Sequence, residues 1–222
     1  MFLSFSPESC SPFCGGCTVL SRSCSDLKKL DPKAKSGICL IDPDGEGGLL
    51  PFLVICDMSD EDGVGVTVIS HDSEKRTLAD NNTPPGDYSR NISYKDANIS
   101  QLVSLVSVSQ SCEQFIKYEC LGSTLEDGFW VSRDSEKMTY WSGAAPESNM
   151  CACGMNKSCA NPSQNCNCHV NDLNWREDGG FLTNKTHLPV KKLKFGDTDV
   201  DQHRNDEKGY HTLGKFKCYG IA

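Results

Sequence analysis

Residues 151–189 read CACGMNKSCANPSQNCNCHVNDLNWREDGGFLTNKTHLP, and this stretch decides how the rest of the chain is interpreted. Its first eighteen residues hold five of the fourteen cysteines and too little periodic apolar sequence for a helix or a sheet core. Covalent chemistry must therefore hold the segment in shape. Two interpretations are open at this point, a disulfide knot and a metal cluster.

The metal interpretation requires thiolates from residues 151–168, with His169 as a further ligand. Zinc sites usually separate paired cysteines by two to four residues, whereas the separations here are one, five, six and one. Fourteen cysteines in 222 residues also exceed cytosolic usage and point to an oxidising compartment, where such thiols form bridges. The disulfide knot is therefore the favoured interpretation.

Strand geometry limits which cysteines can pair. If residues 112–120 form one strand, Cys112 and Cys120 lie roughly 26 Å apart at about 3.3 Å per residue, and bridged Cα atoms must approach within about 7 Å. We expect loop 151–168 to be tied to this strand and to Cys218. Spacing alone leaves the pairing unassigned for Cys112, Cys151, Cys153, Cys159, Cys166 and Cys218.

Export from the cell is also indicated by glycosylation signals. Five Asn-X-Ser/Thr sequons occur, at Asn81, Asn91, Asn98, Asn156 and Asn184. The first residues, MFLSFS, are too short for a signal peptide, and no run approaches the roughly eighteen apolar residues of a membrane span. We therefore expect an extracellular or cell-surface ectodomain without direct membrane insertion, either a piece of a longer protein or the product of a truncated gene model.

Charge and motif content exclude several function classes. The net charge of −8 disfavours nucleic acid and anionic lipid as partners. The five histidines are scattered, and neither Gly-x-Ser-x-Gly nor His-Glu-x-x-His occurs. We expect a protein without enzymatic activity.

The hydrophobic pattern predicts an α+β fold with a mostly antiparallel sheet, few short helices and a disulfide-rich, loop-rich C-terminal half. Residues 1–23 read as a Cys/Ser/Pro-rich linker or the tail of a preceding module, and residues 24–222 as one domain. A helix capped by Asp96 is predicted over 96–108, and an alternating strand over 112–120. Trp130, Trp141 and Trp175 are interpreted as core aromatics, although one exposed Trp would suit a sugar or partner contact.

Several motifs together resemble a known family. They are CEQFIKYEC (112–120), YWSG (140–143), CACG (151–154), GFLT (180–183), HLPV (187–190), GDTD (196–199) and KCYG (217–220). In order and spacing they resemble the fibrinogen-like domain of the contactin-associated protein and neurexin IV family. The opening, from SCSDLKKL (23–30) to VICDM (54–58), is also similar to fibrillar collagen C-propeptides. The resemblance covers residues 23–222 and implies a single fibrinogen-like domain within a cell-surface adhesion ectodomain.

The resemblance also implies particular residue roles. It implies Cys24–Cys56 and Cys120–Cys168 bridges, and it gives no counterpart for Cys10, Cys14, Cys17 and Cys39. Asp42, Asp44 and Glu46 correspond to a calcium-binding loop of collagen propeptides, which uses a further acidic residue where this chain has Leu50. An ordinary acidic turn is the alternative interpretation of these three carboxylates.

Two functional hypotheses follow. The first is a non-enzymatic adhesion or recognition module that binds a cell-surface or matrix protein through loops on a disulfide-braced scaffold. The alternative is a secreted fibrinogen-like lectin that binds glycans, with calcium as a possible cofactor. The collagen-like opening leaves a trimerisation domain as a third hypothesis.

Overall fold

A computed structural model describes residues 20–79, 82–199 and 207–222. Cys10, Cys14, Cys17 and Asn81 lie outside the described residues, as does most of the segment interpreted as a linker. The described chain divides into two compact units. The first contains residues 20–70, Tyr94–Cys112 and Phe216–Ala222, and the second contains His71–Ser93 and Glu113–Lys215 apart from the gaps.

Helices are short and strands dominate the described residues. The helices are α1 (Cys24–Leu30), α2 (Ile99–Val108) and α3 (Ala152–Asn156), and single 3-10 turns cover Glu61–Gly63, Leu125–Asp127 and Asn167–Val170. The strands are β1 (Gly37–Ile41), β2 (Phe52–Asp57), β3 (Val66–Ile69), β4 (Thr77–Ala79), β5 (Tyr88–Asn91), β6 (Ser111–Leu121), β7 (Phe129–Val131), β8 (Lys137–Met138), β9 (Arg176–Leu182), β10 (Lys192–Phe195) and β11 (Lys208–Tyr219). The predicted α+β, mostly antiparallel fold class is confirmed.

In the first unit the strands run in the order β1-β2-β3-β11, with all pairs antiparallel. The register places Gly37 opposite Cys56 and Phe216 opposite Ile69. Helix α1 begins where the side chain of Ser23 accepts a hydrogen bond from the backbone N–H of Asp26, which satisfies one free N–H of the first turn.

Helix α2 is shorter than predicted, and its cap was wrongly placed. It begins at Ile99 because Asn98 accepts the backbone N–H of Gln101 while the Gln101 side chain accepts the N–H of Asn98, a reciprocal capping box. Asp96 has a φ of 58° and belongs to the preceding turn. The buried face carries Leu102, Leu105, Val106 and Val108.

In the second unit, one set of strands runs in the order β11-β6-β9, with β4 also paired to β11. A four-stranded sheet has the order β5-β10-β7-β8. Strand β6 alternates as predicted, with Gln114, Ile116 and Tyr118 completely buried on one side. This alternation leaves the other side of β6 available to line a surface.

Aromatic rings fill the core of the second unit. Trp130 and Trp141 are fully buried, and Phe195 stacks on Tyr118 with ring centroids 4.5 Å apart. Trp175 does not belong to this core, and its interpretation as a core aromatic was wrong, because 52% of it is exposed. It lies in the turn immediately before β9, whereas Trp130 lies on β7 and Trp141 in the segment that follows β8.

Disulfides join ten of the described cysteines in the pairs Cys24–Cys56, Cys112–Cys218, Cys120–Cys168, Cys151–Cys166 and Cys153–Cys159. Cys39 is disulfide-bonded as well. The set includes both pairs that the resemblance implies.

Loop 151–168 is tied to β6 through Cys120, as expected, but the expected tie to Cys218 was wrong. Cys218 pairs instead with Cys112, whose Cα atom lies 4.1 Å away. Both cysteines lie near strand ends that are far apart in sequence, so spacing could not bring them together. The remaining four loop cysteines close on one another.

One buried carboxylate organises the end of this loop. Asp178, on β9, is 4% exposed and accepts backbone N–H groups from Asn167 at 3.0 Å and Cys168 at 2.8 Å. Burial raises the pKa of the Asp178 carboxyl, and these two hydrogen bonds offset part of that rise. The carboxylate thus holds two N–H groups that would otherwise be buried without an acceptor.

Replacing Asp178 tests this role. Asp178→Ala removes the acceptor of two backbone N–H groups, so we expect it to lower the free energy of unfolding by about 1–3 kcal/mol. Asp178→Asn keeps one acceptor oxygen and should cost less. Chemical denaturation with the disulfides intact measures both values.

The pH dependence of the same variants gives a second measurement. Because the folded pKa of Asp178 is raised, its contribution to stability is fully present below the unfolded pKa and is lost as pH rises above about 4 through the folded pKa. Relative to Asp178→Asn, the wild type should therefore lose stability as pH rises from about 4 until the raised pKa of the folded state has been passed. An unchanged difference between the two proteins across this range would contradict the assignment.

Candidate functional site

The second unit contains an open cleft of about 460 Å³. It is lined by Arg76, Glu119, Asn167, Trp175, Arg176 and Glu177. Most of these side chains are charged, and the indole of Trp175 supplies the one aromatic ring among them. Sequence reasoning did not find this cleft, because its residues come from four separate places in the chain.

Regular elements hold most of the cleft side chains in place. Glu119 lies on the outward side of β6, directly opposite Glu177 on β9. Two like charges in that position repel each other, and Lys117 lies 3.4 Å from Glu119 and 3.3 Å from Glu177, which offsets the repulsion. Across from Lys117 is Gly179, where an added Cβ would lie 2.8 Å from Cγ of Lys117. The glycine therefore leaves room for the bridging lysine.

The turn before β9 presents Trp175 to solvent. Asp172 accepts bonds from Nε of Arg176 at 2.9 Å and from Nη2 at 2.6 Å, and it also accepts the side-chain amide of Asn174. These hydrogen bonds, led by that of Arg176, hold the pKa of the Asp172 carboxyl far below its usual value. The hydrogen bonds of Asp172 to Asn174 and Arg176 hold the turn on both sides of Trp175, which remains exposed to solvent.

Three flat groups lie side by side at the edge of the cleft. The guanidinium carbon of Arg76 lies 3.4 Å from the ring centroid of Tyr210, a cation–π contact. The rings of Tyr210 and Trp175 have centroids 5.9 Å apart. Nε of Arg76 also donates to Glu119 at 2.9 Å. We name Arg76, Tyr210 and Trp175 the aromatic platform.

The ion pairs fix the charge state of the cleft. Partial burial opposes ionisation of Glu119, but Arg76 and Lys117 outweigh it and hold the pKa of the carboxyl below its usual value. The pKa of Arg76 is raised by its hydrogen bond to Glu119. Glu119 and Arg76 therefore stay charged at physiological pH.

The three carboxylates of the calcium hypothesis lie in the first unit. Asp42 is buried, and one of its oxygens accepts the N–H of Gly45 at 3.1 Å, while Asp44 accepts the N–H of Leu49 at 2.8 Å. Burial raises the pKa of Asp42, and the charges of Asp44 and Glu46 raise it further. The residue at the position where the resemblance requires another acid, Leu50, is 81% exposed. Asp42 and Asp44 are thus close together, but each already accepts a hydrogen bond from the backbone, which uses part of its capacity to bind a cation.

The five clustered cysteines of loop 151–168 all lie in disulfides. Sulfur atoms of Cys151 and Cys166 lie within 4.8 Å of a carboxylate oxygen of Asp178, a grouping that could hold a metal only if the sulfurs were thiolates. A disulfide sulfur is not such a ligand. In the disulfide-bonded form, these cysteines stabilise the loop and do not offer thiolate ligands to a metal.

Four of the five sequons fall within the described residues. Asn91, Asn98 and Asn156 are exposed and Asn184 is half-buried, while Asn81 lies outside that part of the chain. Oδ1 of Asn184 accepts from the backbone N–H and the hydroxyl of Thr186, so the sequon forms a local turn. All four asparagines are at least partly accessible to solvent.

Comparison with curated proteins identifies clear relatives. Neurexin-4 of Drosophila melanogaster is 40% identical over 210 residues, which are 89% of this chain and 16% of that protein. Contactin-associated protein 1 of Homo sapiens is 34% identical over 210 residues, covering 91% of this chain and 15% of the human protein. The mouse protein of the same name is 35% identical over 192 residues, which are 83% of this chain and 13% of the mouse protein. No protein-family model matches the chain.

These matches confirm the family resemblance that the sequence motifs predict. The chain spans about one sixth of the length of the curated relatives it matches. Within the described residues, no helix has the length and apolar character needed to cross a bilayer. The chain is thus a relative of the contactin-associated protein and neurexin IV family and corresponds to one segment of its members.

Proposed function

We propose that the chain is an extracellular recognition module without enzymatic activity, which binds a protein on a cell surface or in the matrix. Its kinship with neurexin-4 and contactin-associated protein 1 supports this proposal, and the name of the latter suggests a contactin as the partner to test first. The bridges of the second unit support it as well, because an extracellular loop must keep its shape without a large apolar core.

The single observation that carries the proposal is the exposed indole of Trp175 beside a cleft on this braced scaffold. Tryptophan, tyrosine and arginine are the residues most enriched among the energetic hot spots of protein interfaces, and the aromatic platform contains one of each. The Arg76–Glu119 ion pair holds Arg76 in place, and the Arg176–Asp172 ion pair holds the turn that carries Trp175. This order before a partner arrives lowers the entropy lost on binding.

Binding to a contactin ectodomain tests the proposal. We expect immobilised contactin to bind the wild-type chain, and Trp175→Ala to weaken the affinity at least about tenfold, since loss of a central aromatic anchor costs about 2 kcal/mol or more. Biolayer interferometry measures both affinities. Leu173→Ala is the matched control, because Leu173 is 65% exposed in the same turn and does not line the cleft. Equal affinities for Trp175→Ala and the control would show that the cleft is not part of the contactin-binding surface.

We also propose that Asp42, Asp44 and Glu46 bind calcium. Burial raises the pKa of Asp42 and the charges of Asp44 and Glu46 raise it further, and a bound cation would favour the ionised form of this carboxyl. Calcium at about ten times its Kd should then stabilise the fold by about 1.4 kcal/mol and raise the melting temperature by roughly 3–6 °C relative to EDTA. Asp42→Asn should abolish this shift. A wild-type melting temperature that excess calcium leaves unchanged would identify an ordinary acidic turn.

Glycosylation of Asn81, Asn91, Asn98, Asn156 and Asn184 is proposed on the same extracellular assignment. Material secreted from animal cells should lose mass on treatment with peptide N-glycosidase, and peptide mass spectrometry should find aspartate at the occupied positions. Asn156→Gln should remove one glycan and leave the bridges of the loop unchanged, because Asn156 is exposed. Secreted protein of unmodified mass would contradict the proposal.

A further inference from the structure

We infer that the cleft beside the aromatic platform binds a neutral sugar unit of a glycan, independently of calcium. The inference rests on the proposed function and deepens it, because it names the chemistry that this site recognises on a glycosylated partner. It follows from three properties of the cleft, namely its stacking surface, its internally paired charges and its volume.

The stacking surface is the indole of Trp175. One face of a sugar ring carries C–H groups that pack on an aromatic ring, while its hydroxyls require polar neighbours. Trp175 is 52% exposed and Trp130 and Trp141 are fully buried, so Trp175 alone among the three tryptophans can offer its ring to a ligand. Arg76, Glu177 and Asn167 line the cleft beside it and provide both donors and acceptors.

The paired charges favour a neutral ligand. Each cation of the cleft has an anionic partner within hydrogen-bond distance, Arg76 with Glu119 and Arg176 with Asp172. An acidic ligand would have to compete with these carboxylates for the guanidinium groups. Hydroxyl groups need not break the pairs, because Glu119 occupies only Nε of Arg76 and a guanidinium carries four further N–H donors.

The volume limits the size of the ligand. The cleft holds about 460 Å³, near the lower end of the roughly 300–1,000 Å³ of small-molecule sites. This space suits one sugar unit with the rest of the glycan in solvent, and it is small for a helix of a partner protein. The calcium candidates Asp42, Asp44 and Glu46 do not line it, so binding should not require that ion.

Quenching of tryptophan fluorescence by acrylamide tests the inference directly on the intact chain. The probes are the methyl glycosides of glucose, galactose, mannose and N-acetylglucosamine, each titrated with EDTA present. At least one should shield Trp175 and lower the quenching constant by half or more. Trp175→Ala should lose most quenching before any sugar is added, because the other two tryptophans are buried.

Two variants separate sugar binding from effects on the fluorophore. Arg76→Met keeps Trp175 and removes hydrogen-bond donors of the cleft, and it should raise the apparent Kd of the effective glycoside at least about tenfold. Leu173→Ala, outside the cleft, should leave that Kd unchanged. Equal Kd values for Arg76→Met and the wild type would overturn the inference.

The remaining outcomes distinguish this inference from the proposed function. If no glycoside shields Trp175 but contactin binding depends on Trp175, the sugar inference is wrong and the protein-recognition proposal stands. If a neutral glycoside binds and contactin does not, the sugar inference stands and contactin is excluded as the protein partner. Stronger shielding by N-acetylneuraminic acid than by every neutral glycoside, or shielding that requires calcium, would overturn the inference.

Discussion

The shape of loop 151–168 depends on a buried carboxylate together with three disulfides. The loop has few large apolar side chains, so burial contributes little, and closing it covalently reduces the entropy of the unfolded chain instead. The disulfides restrict the conformations of the loop, but they do not supply acceptors for its buried backbone N–H groups. Asp178 does so at the most buried point, where it accepts the N–H groups of Asn167 and Cys168. The disulfides and the Asp178 carboxylate are both needed, because the disulfides reduce the entropy lost on folding and the carboxylate pairs buried backbone N–H groups.

Strand β9 contacts both this loop and the cleft, because successive side chains along the strand point to opposite sides. Asp178 points into the protein and holds the loop, whereas Glu177 is exposed and lines the cleft. The loop in turn covers β9, because Nδ2 of Asn167 donates to the backbone oxygen of Glu177 at 3.1 Å. An exposed strand edge would invite pairing with another chain, so this cover protects the strand as well as positioning Asn167 in the cleft.

Local pattern and family resemblance predicted much of the fold but little of the cleft. The alternation of β6 was readable from CEQFIKYEC, and the motifs pointed to the correct relatives. Asp96 was mistaken for a helix cap because the capping box depends on Gln101 reaching back to Asn98. Trp175 was assigned to the core because composition does not show which side of a turn an indole faces. The cleft joins residues from Arg76 to Glu177, and such long-range proximity leaves no periodic signal in one sequence.

The ion pairs of the cleft keep Glu119 ionised and Arg76 and Arg176 protonated. A general acid or base works best with a pKa near the operating pH, and the ion pairs move Glu119 in the opposite direction, below its usual pKa. Arg76 and Arg176 have raised pKa values and cannot accept a proton. The same pairs fix the orientation of flat hydrogen-bonding groups around an exposed indole, which is what a recognition site requires. Charge pairing therefore disfavours acid–base chemistry at Glu119, Arg76 and Arg176, and in the proposed recognition site the same pairs would order the surface before a ligand arrives.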